Sequence, residues 1–232
     1  MTELPAAPPR TRAYDPDCVR CPRLVGFLAR VRERYPGYWA RPVGSFGASR
    51  PRILIVGLAP GLHGANRSGR PFTGDHAGLL LYRTLYEAGL ASRAQSQSAQ
   101  DGLRLINVRI ANAVKCVPPE NKPLPAEVRH CNGYLAAELQ QLRSARVYLA
   151  LGRVAHEGVM LALGLGRSAY PFGHGREHEL AGTRWLIDSY HCSRYNTATR
   201  RLTAPMFQAV VARACERAAL QGRRPPARPA AD

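Results

Sequence analysis

The segment from Ile53 to Gly78 reads ILIVGLAPGLHGANRSGRPFTGDHAG. An unbroken apolar run, Ile53-Leu54-Ile55-Val56, stops at Gly57. A long loop then carries five further glycines, Pro60, Pro71, Asn66, Arg67, Arg70, Phe72 and Asp75 before apolar residues resume at Leu79. A short continuous apolar run is the pattern of a strand buried on both faces, and such strands belong to parallel sheets covered by helices. A buried strand that ends in a Gly-rich loop and then enters a helix is how α/β proteins place a site at the carboxyl edge of a sheet. The loop is too polar for core and too specialised for a linker.

The rest of the chain repeats that order. Cys21, Leu24, Leu28, Val31 and Tyr35 recur at helical steps up to Pro36-Gly37, which puts Cys18 and Cys21 on one helical face. Tyr38 to Ser49 reads as loop, Arg52 to Val56 as the first strand, and Leu79 to Leu90 as a helix. Leu103 to Ala113 reads as a second strand running into Asn112-Ala-Val-Lys-Cys116 and Pro118-Pro119. A helix after Pro125 carries Val128, Cys131, Leu135, Leu139 and Leu142 on one face. Arg146 to Leu151 is a third strand, and Val154 to Leu163 a helix. Gly164 to Gly182 is a Gly- and His-rich loop with room for a short strand at its end. Trp185 to Ser189 is the last strand and delivers His191-Cys-Ser-Arg-Tyr-Asn196 to the same sheet edge. Thr203 caps a final helix whose stripe is Phe207, Val210, Val211 and Ala214. The order predicts an α/β domain with three α/β/α layers around a central four-stranded parallel sheet.

At 232 residues one core is expected. The domain is set at residues 18–221, with disordered Pro-, Ala- and Arg-rich tails at 1–17 and 222–232. No run of about eighteen apolar residues occurs and the start lacks a signal-peptide pattern, so a soluble, cytoplasmic protein with no membrane partner is expected. With no exposed apolar stripe, a monomer is expected. The 33 basic against 16 acidic residues give +17. That points to a polyanion, nucleic acid first, although a GC-rich genome would also inflate Arg.

Six cysteines in an intracellular chain suggest metal or cluster ligation rather than disulfides. Cys18, Cys21, Cys116 and Cys131 are the candidate set, able to hold Zn²⁺ or a [4Fe-4S] cluster; Cys215 reads as core, and Cys192 lacks the neighbours of a nucleophile. The Gly-rich loop lacks GxGxxG spacing and a Gly-Lys-Ser/Thr, and Pro60 removes a donor that a phosphate cradle would use. It offers instead the ring of Phe72 and the carboxylate of Asp75, with glycines read as bringing backbone close to a flat ligand. Taken singly, Phe72 would be core and Asp75 a helix cap. Together with Asn112, His191 and Asn196 at two other strand ends, in a basic protein, they describe a pocket for an extruded nucleobase.

These residues resemble the family-5 uracil-DNA glycosylases, iron-sulfur members of the uracil-DNA glycosylase superfamily. The resemblance runs from Cys18 to about Leu202. It rests on the Cys18/Cys21 pair, GLAPGLHGANRSGRPFTGD from Gly57 to Asp75, NAVKCVPP from Asn112 to Pro119, and SYHxSxxN from Ser189 to Asn196. It implies a [4Fe-4S] cluster on Cys18, Cys21, Cys116 and Cys131, and a repair enzyme that hydrolyses the N-glycosidic bond of uracil in DNA. Hypoxanthine and xanthine are implied as further substrates, in duplex or single-stranded DNA. Where the superfamily usually has a polar residue after the first motif Gly, this chain has Leu58, so Asp75 is implied as the catalytic acid. His191 and Asn112 join it, with Gly57, Leu58, Ala59, Phe72 and Asn196 around the base. Ser193, Arg194, Tyr195, Arg200 and Arg201 are implied as the segment that presses into DNA. Cys192 stands where Pro is more familiar after the motif His. The alternative reading is a non-catalytic iron-sulfur module that recognises damaged or single-stranded DNA.

Overall fold

The computed structural model describes residues 13–220. Helix α1 (Pro22–Arg34) is followed by a two-residue strand β1 (Phe46–Gly47), the buried strand β2 (Ile53–Gly57), a one-turn helix α2 (Ala65–Ser68) and α3 (His76–Glu87). Strand β3 (Val108–Asn112), α4 (Pro125–Gln141), β4 (Val147–Leu151) and α5 (Arg153–Ala162) come next. Then follow β5 (Glu177–Leu180), β6 (Arg184–Ser189), the short α6 (Arg194–Ala198) and α7 (Ala204–Arg217). The sheet order is β1-β3-β2-β4-β6-β5. The four central strands are parallel as expected, and the two edge strands pair antiparallel, β1 on β3 and β5 on β6.

Alternation along β2 divides the core. Ile53 and Ile55 point into one layer with Leu81, Leu85, Phe207 and Val211, while Leu54 and Val56 point into the other with Leu135, Leu139, Ala155 and Val159. A third, smaller core joins α1, through Leu24, Leu28 and Val31, to Val114, Val117 and Tyr134. Strand β2 has β3 on one side and β4 on the other, so the chain leaves it in opposite directions. The crevice beyond its carboxyl end is the topological switch point where open α/β sheets bind ligands.

Several boundaries differ from the sequence reading for identifiable reasons. The second strand is shorter than 103–113 because Asn107 turns left-handed (φ 60), while its carbonyl accepts from the Arg52 and Ile53 amides. Helix α1 begins at Pro22, whose fixed φ suits the first helical position, so Cys21 is the N-cap and Cys18 lies in the loop before it; the two do not share a helical face. The first tail ends earlier than residue 17, since the Tyr14 hydroxyl donates to the Pro42 carbonyl (2.8 Å). Residues 1–12 of the first expected tail and all of the second, 222–232, lie outside the described residues. No helix among the described residues is long and apolar enough to cross a membrane.

Candidate active site

Gly57 and Asn112 are register partners at the carboxyl ends of β2 and β3. The Phe72 ring and the Asn112 amide both close over Gly57: a Cβ there would lie 2.6 Å from Phe72 Cζ and 2.6 Å from Asn112 Oδ1. Phe72 itself is left-handed (φ 56), a conformation that costs a bulky residue about 1–3 kcal/mol and that clusters at functional sites. Its surroundings hold it there. The Tyr82 hydroxyl donates to the Pro71 carbonyl (2.7 Å), and the Phe72 carbonyl occupies the space a Gly78 side chain would need, 1.9 Å from an ideal Cβ. Asn112 is 2 % exposed, and its Oδ1 has no hydrogen-bond partner among the described residues.

Asp75 stands at the N-cap position of α3, yet its side chain does not cap that helix. The carboxylate turns back and accepts from the Ala65 amide (3.0 Å). It reaches that amide because Gly61 and Gly64 have no side chains; a Cβ would fall 2.5 Å and 1.8 Å, respectively, from Asp75 Oδ1. Burial raises the Asp75 pKa, and the Ala65 amide and the nearby Arg67 guanidinium pull it back. Burial alone pushes His191 down to about 4, so its imidazole is neutral at physiological pH. The His191 ring faces Phe72 with centroids 5.9 Å apart and planes 30° off parallel. Its main chain is fixed from behind, where Asn196 Nδ2 donates to the His191 carbonyl (2.8 Å).

Leu58, Ala59, Phe72, Asp75, Asn112 and His191 line one cavity of about 390 Å³, a size suited to a small ligand. Ser193 and Arg194 stand at it too. Other expected residues lie elsewhere. Gly57 is beneath the floor, and Asn196 supports His191 instead of lining the cavity. Tyr195 is exposed on α6 and Arg200 on the loop after it, while the Arg201 guanidinium lies over the Tyr190 ring (4.6 Å). Arg70, in the same loop as Phe72, is buried and binds Thr73, Ser96 and Asp101, so it braces the loop from inside. The sequence reading missed Asn121, which also lines the cavity. Its signal was the Pro-Glu-Asn turn: Glu120 and Asn121 are both left-handed (φ 53 and 56), a conformation Asn accepts more readily than most residues.

About one turn beyond β3, Cys18, Cys21, Cys116 and Cys131 gather around a second, small cavity with Leu24, Val114 and Tyr134. The Lys115 amide donates to Cys131 Sγ (3.2 Å). Burial and the neighbouring thiols raise Cys21 to about 11 and push Cys116 up as well. Cys192 is fully buried with its thiol pushed up by burial, which leaves it no part in nucleophilic chemistry.

Residues 44–215 match the Uracil DNA glycosylase superfamily. The chain belongs to that superfamily. Among curated relatives, a type-5 uracil-DNA glycosylase of Thermus thermophilus is 50% identical over 199 residues, 84% of this chain and 90% of the relative. A type-5 uracil-DNA glycosylase of Pyrobaculum aerophilum is 42% identical over 202 residues, 85% and 88% of the two chains. A type-4 uracil-DNA glycosylase of Archaeoglobus fulgidus is 33% identical over 155 residues, 64% and 69%. The superfamily match and the cavity coincide, since every residue that lines the cavity falls within 44–215. If the glycines serve the Asp75 carboxylate, Gly64→Ala should displace it and lower uracil excision by about 10²-fold, while the fold, read by circular dichroism, is retained. Unchanged excision would show that the Asp75–Gly64 contact is irrelevant to the superfamily's chemistry here.

Proposed function

We infer that this chain excises uracil from DNA by hydrolysing the N-glycosidic bond, leaving an abasic site. The observation that carries the reading is the cavity itself. A buried amide oxygen without a partner, Asn112 Oδ1, stands above the Phe72 floor, with a carboxylate and a neutral imidazole on its walls. An unpaired buried acceptor costs about 1–3 kcal/mol, and a base N–H offers it a partner.

The steps follow from these groups. Arginines on the surface hold the phosphates, and the damaged nucleotide flips into the cavity at a cost of a few kcal/mol. Phe72 stacks on the base and Asn112 reads its edge. As the C1′–N bond breaks, the sugar gains oxocarbenium character and the electron pair leaves with the base. Ionised Asp75 stabilises the positive sugar and accepts a proton from the water whose oxygen bonds to C1′. Neutral His191 donates a hydrogen bond to the base oxygen where negative charge collects, without itself changing charge. An amide at position 112 can both donate and accept, and the cavity exceeds a pyrimidine ring. Both features support hypoxanthine and xanthine as further substrates. Tyr195 and the exposed Arg194 and Arg200 support contact of this segment with the DNA groove.

We also propose that Cys18, Cys21, Cys116 and Cys131 hold a [4Fe-4S] cluster. Four converging, half-buried to buried sulfurs, whose thiolate forms burial and mutual repulsion disfavour, fit a cationic iron centre that would stabilise those thiolates. When bound, the cluster supplies a structural cross-link. The four residues then tie the loop before α1 to α4 and to the turn after β3. The non-catalytic alternative has no feature of the cavity in its favour.

Incubation with a uracil-containing duplex should yield alkali-labile abasic sites, and Asp75→Asn should lower the rate by about 10²–10⁴-fold while DNA binding survives. No cleavage opposite any base would overturn the reading. Since Asp75 must be ionised, activity should rise with pH along an acid limb whose midpoint lies above the ordinary carboxylate value of 3.8. Arg67→Met removes a charge that lowers this pKa, so the limb should move to higher pH in single-turnover profiles; a shift in the other direction would refute the electrostatic assignment. Cys116→Ser should lose the brown colour and lower Tm, and a stable brown variant would remove Cys116 from the ligand set.

A further inference from the structure

Three titratable side chains meet in a place that the reaction does not use. His156 lies in the first turn of α5, His178 on β5 and Asp188 on β6; His156 is 2 % and Asp188 0 % exposed. One ligand atom from each lies within 4.8 Å of the others. His156 Nδ1 is 2.8 Å from Asp188 Oδ1, and His178 Nε2 is 3.4 Å from Asp188 Oδ2. Among the described residues, no arginine or lysine pairs with Asp188; its side-chain partners are these two histidines.

The tautomer of His156 constrains what fills the space. Its Nε2 lies 2.9 Å from the Tyr170 carbonyl, which only accepts, so Nε2 carries a hydrogen. A neutral ring in that tautomer turns the lone pair of Nδ1 toward a buried carboxylate, an arrangement that repels. A proton shared between Nδ1 and the carboxylate relieves it, and so does a metal ion bound by both atoms. With a proton there, His178 adds only a long hydrogen bond from Nε2 to Asp188 Oδ2 (3.4 Å). A metal ion accounts for all three donors. Two imidazoles and a carboxylate are a donor set for zinc and its first-row neighbours. The outer partners that such a site needs are also present. The Tyr170 carbonyl fixes the His156 tautomer, and the Gly173 amide donates to Asp188 Oδ2 (3.2 Å).

We propose that His156, His178 and Asp188 form a binding site for a divalent cation of the zinc type, separate from the four cysteines. Bound there, the ion staples α5 to β5 and β6 and to the loop around Tyr170 and Gly173. That loop supports the motif strand end: His174 stacks on Tyr190 (centroids 4.9 Å), and the Tyr190 amide donates to His174 Nδ1 (3.1 Å), one residue before His191. The role assigned to the ion is therefore to hold the end of β6 in place against α5 and β5.

The test uses the full chain with its brown colour intact, stripped of loose metal and then supplied with zinc. Crystals should show an anomalous difference peak at the zinc edge between the three side chains. Wild type should gain a Tm that rises with zinc concentration, whereas His178→Gln, a change at the sheet edge, should not. A peak at the cysteines only, an equal Tm gain in His178→Gln, or no zinc bound at all would each overturn the proposal, the last meaning that a proton alone fills the site. None of these outcomes depends on uracil excision.

Discussion

The carboxylate of Asp75 rests on the bare backbones of Gly61 and Gly64, and much of the surrounding loop is arranged to permit that contact. Any side chain at either glycine would fill the space of the oxygen that accepts from the Ala65 amide. The same logic repeats at Gly57, on which Phe72 and Asn112 close, and at Gly78, which the Phe72 carbonyl overlies. The glycines were expected to bring backbone close to a flat ligand. In the structure they bring the side chains of Asp75, Phe72 and Asn112 close to backbone. A Gly-rich loop of this kind is a mould for its own side chains.

Burial then assigns the charges. The same loss of water raises the pKa of an acid and lowers that of a histidine. For His191 nothing opposes it, and the ring stays neutral. For Asp75 the Ala65 amide and Arg67 oppose it, so the carboxylate can be charged in a place that would otherwise favour its neutral form. One desolvated pocket thereby sets a carboxylate, whose charged form the Ala65 amide and Arg67 favour, beside a neutral imidazole.

The sheet was legible because its four central strands are buried runs, and their carboxyl-terminal loops necessarily meet. Asn112, Phe72, Asp75 and His191 could therefore be grouped from sequence alone. The parts that were not legible depend on contacts between distant segments. Strand β1 is two residues long, too short for any pattern, and exists only because β3 offers it an edge. Asn196 looked like a base contact, but a hydrogen bond to a carbonyl five residues earlier takes its amide. Arg70 counts toward the net charge, yet it is paired inside the loop with Asp101, whose carboxyl is held down to about 2, burial notwithstanding, by Arg70 and by backbone amides. Net charge therefore overstates the cationic surface available to DNA.

The wall that carries Asn112 is also the one tied to the cysteines. Only four positions separate Asn112 from Cys116, and Lys115 between them is anchored twice. Its amide donates to Cys131 Sγ, and its buried ammonium pairs with Glu138, which also accepts from Ser45 and Arg109. Despite burial, these partners keep Glu138 below the usual carboxylate range. Replacing such a pair with apolar residues is often harmless, whereas removing one partner costs about 3–5 kcal/mol. Its presence here is better explained by position than by stability: Glu138 lies two turns along α4 from Cys131, so the pair fixes the height of the Asn112–Cys116 segment on that helix. The turn that follows carries Asn121 back over the cavity. The cysteine cluster and the cavity's two amides, Asn112 and Asn121, thus share one short stretch of backbone, so a disturbance at the cysteines should displace both amides before it reaches the sheet.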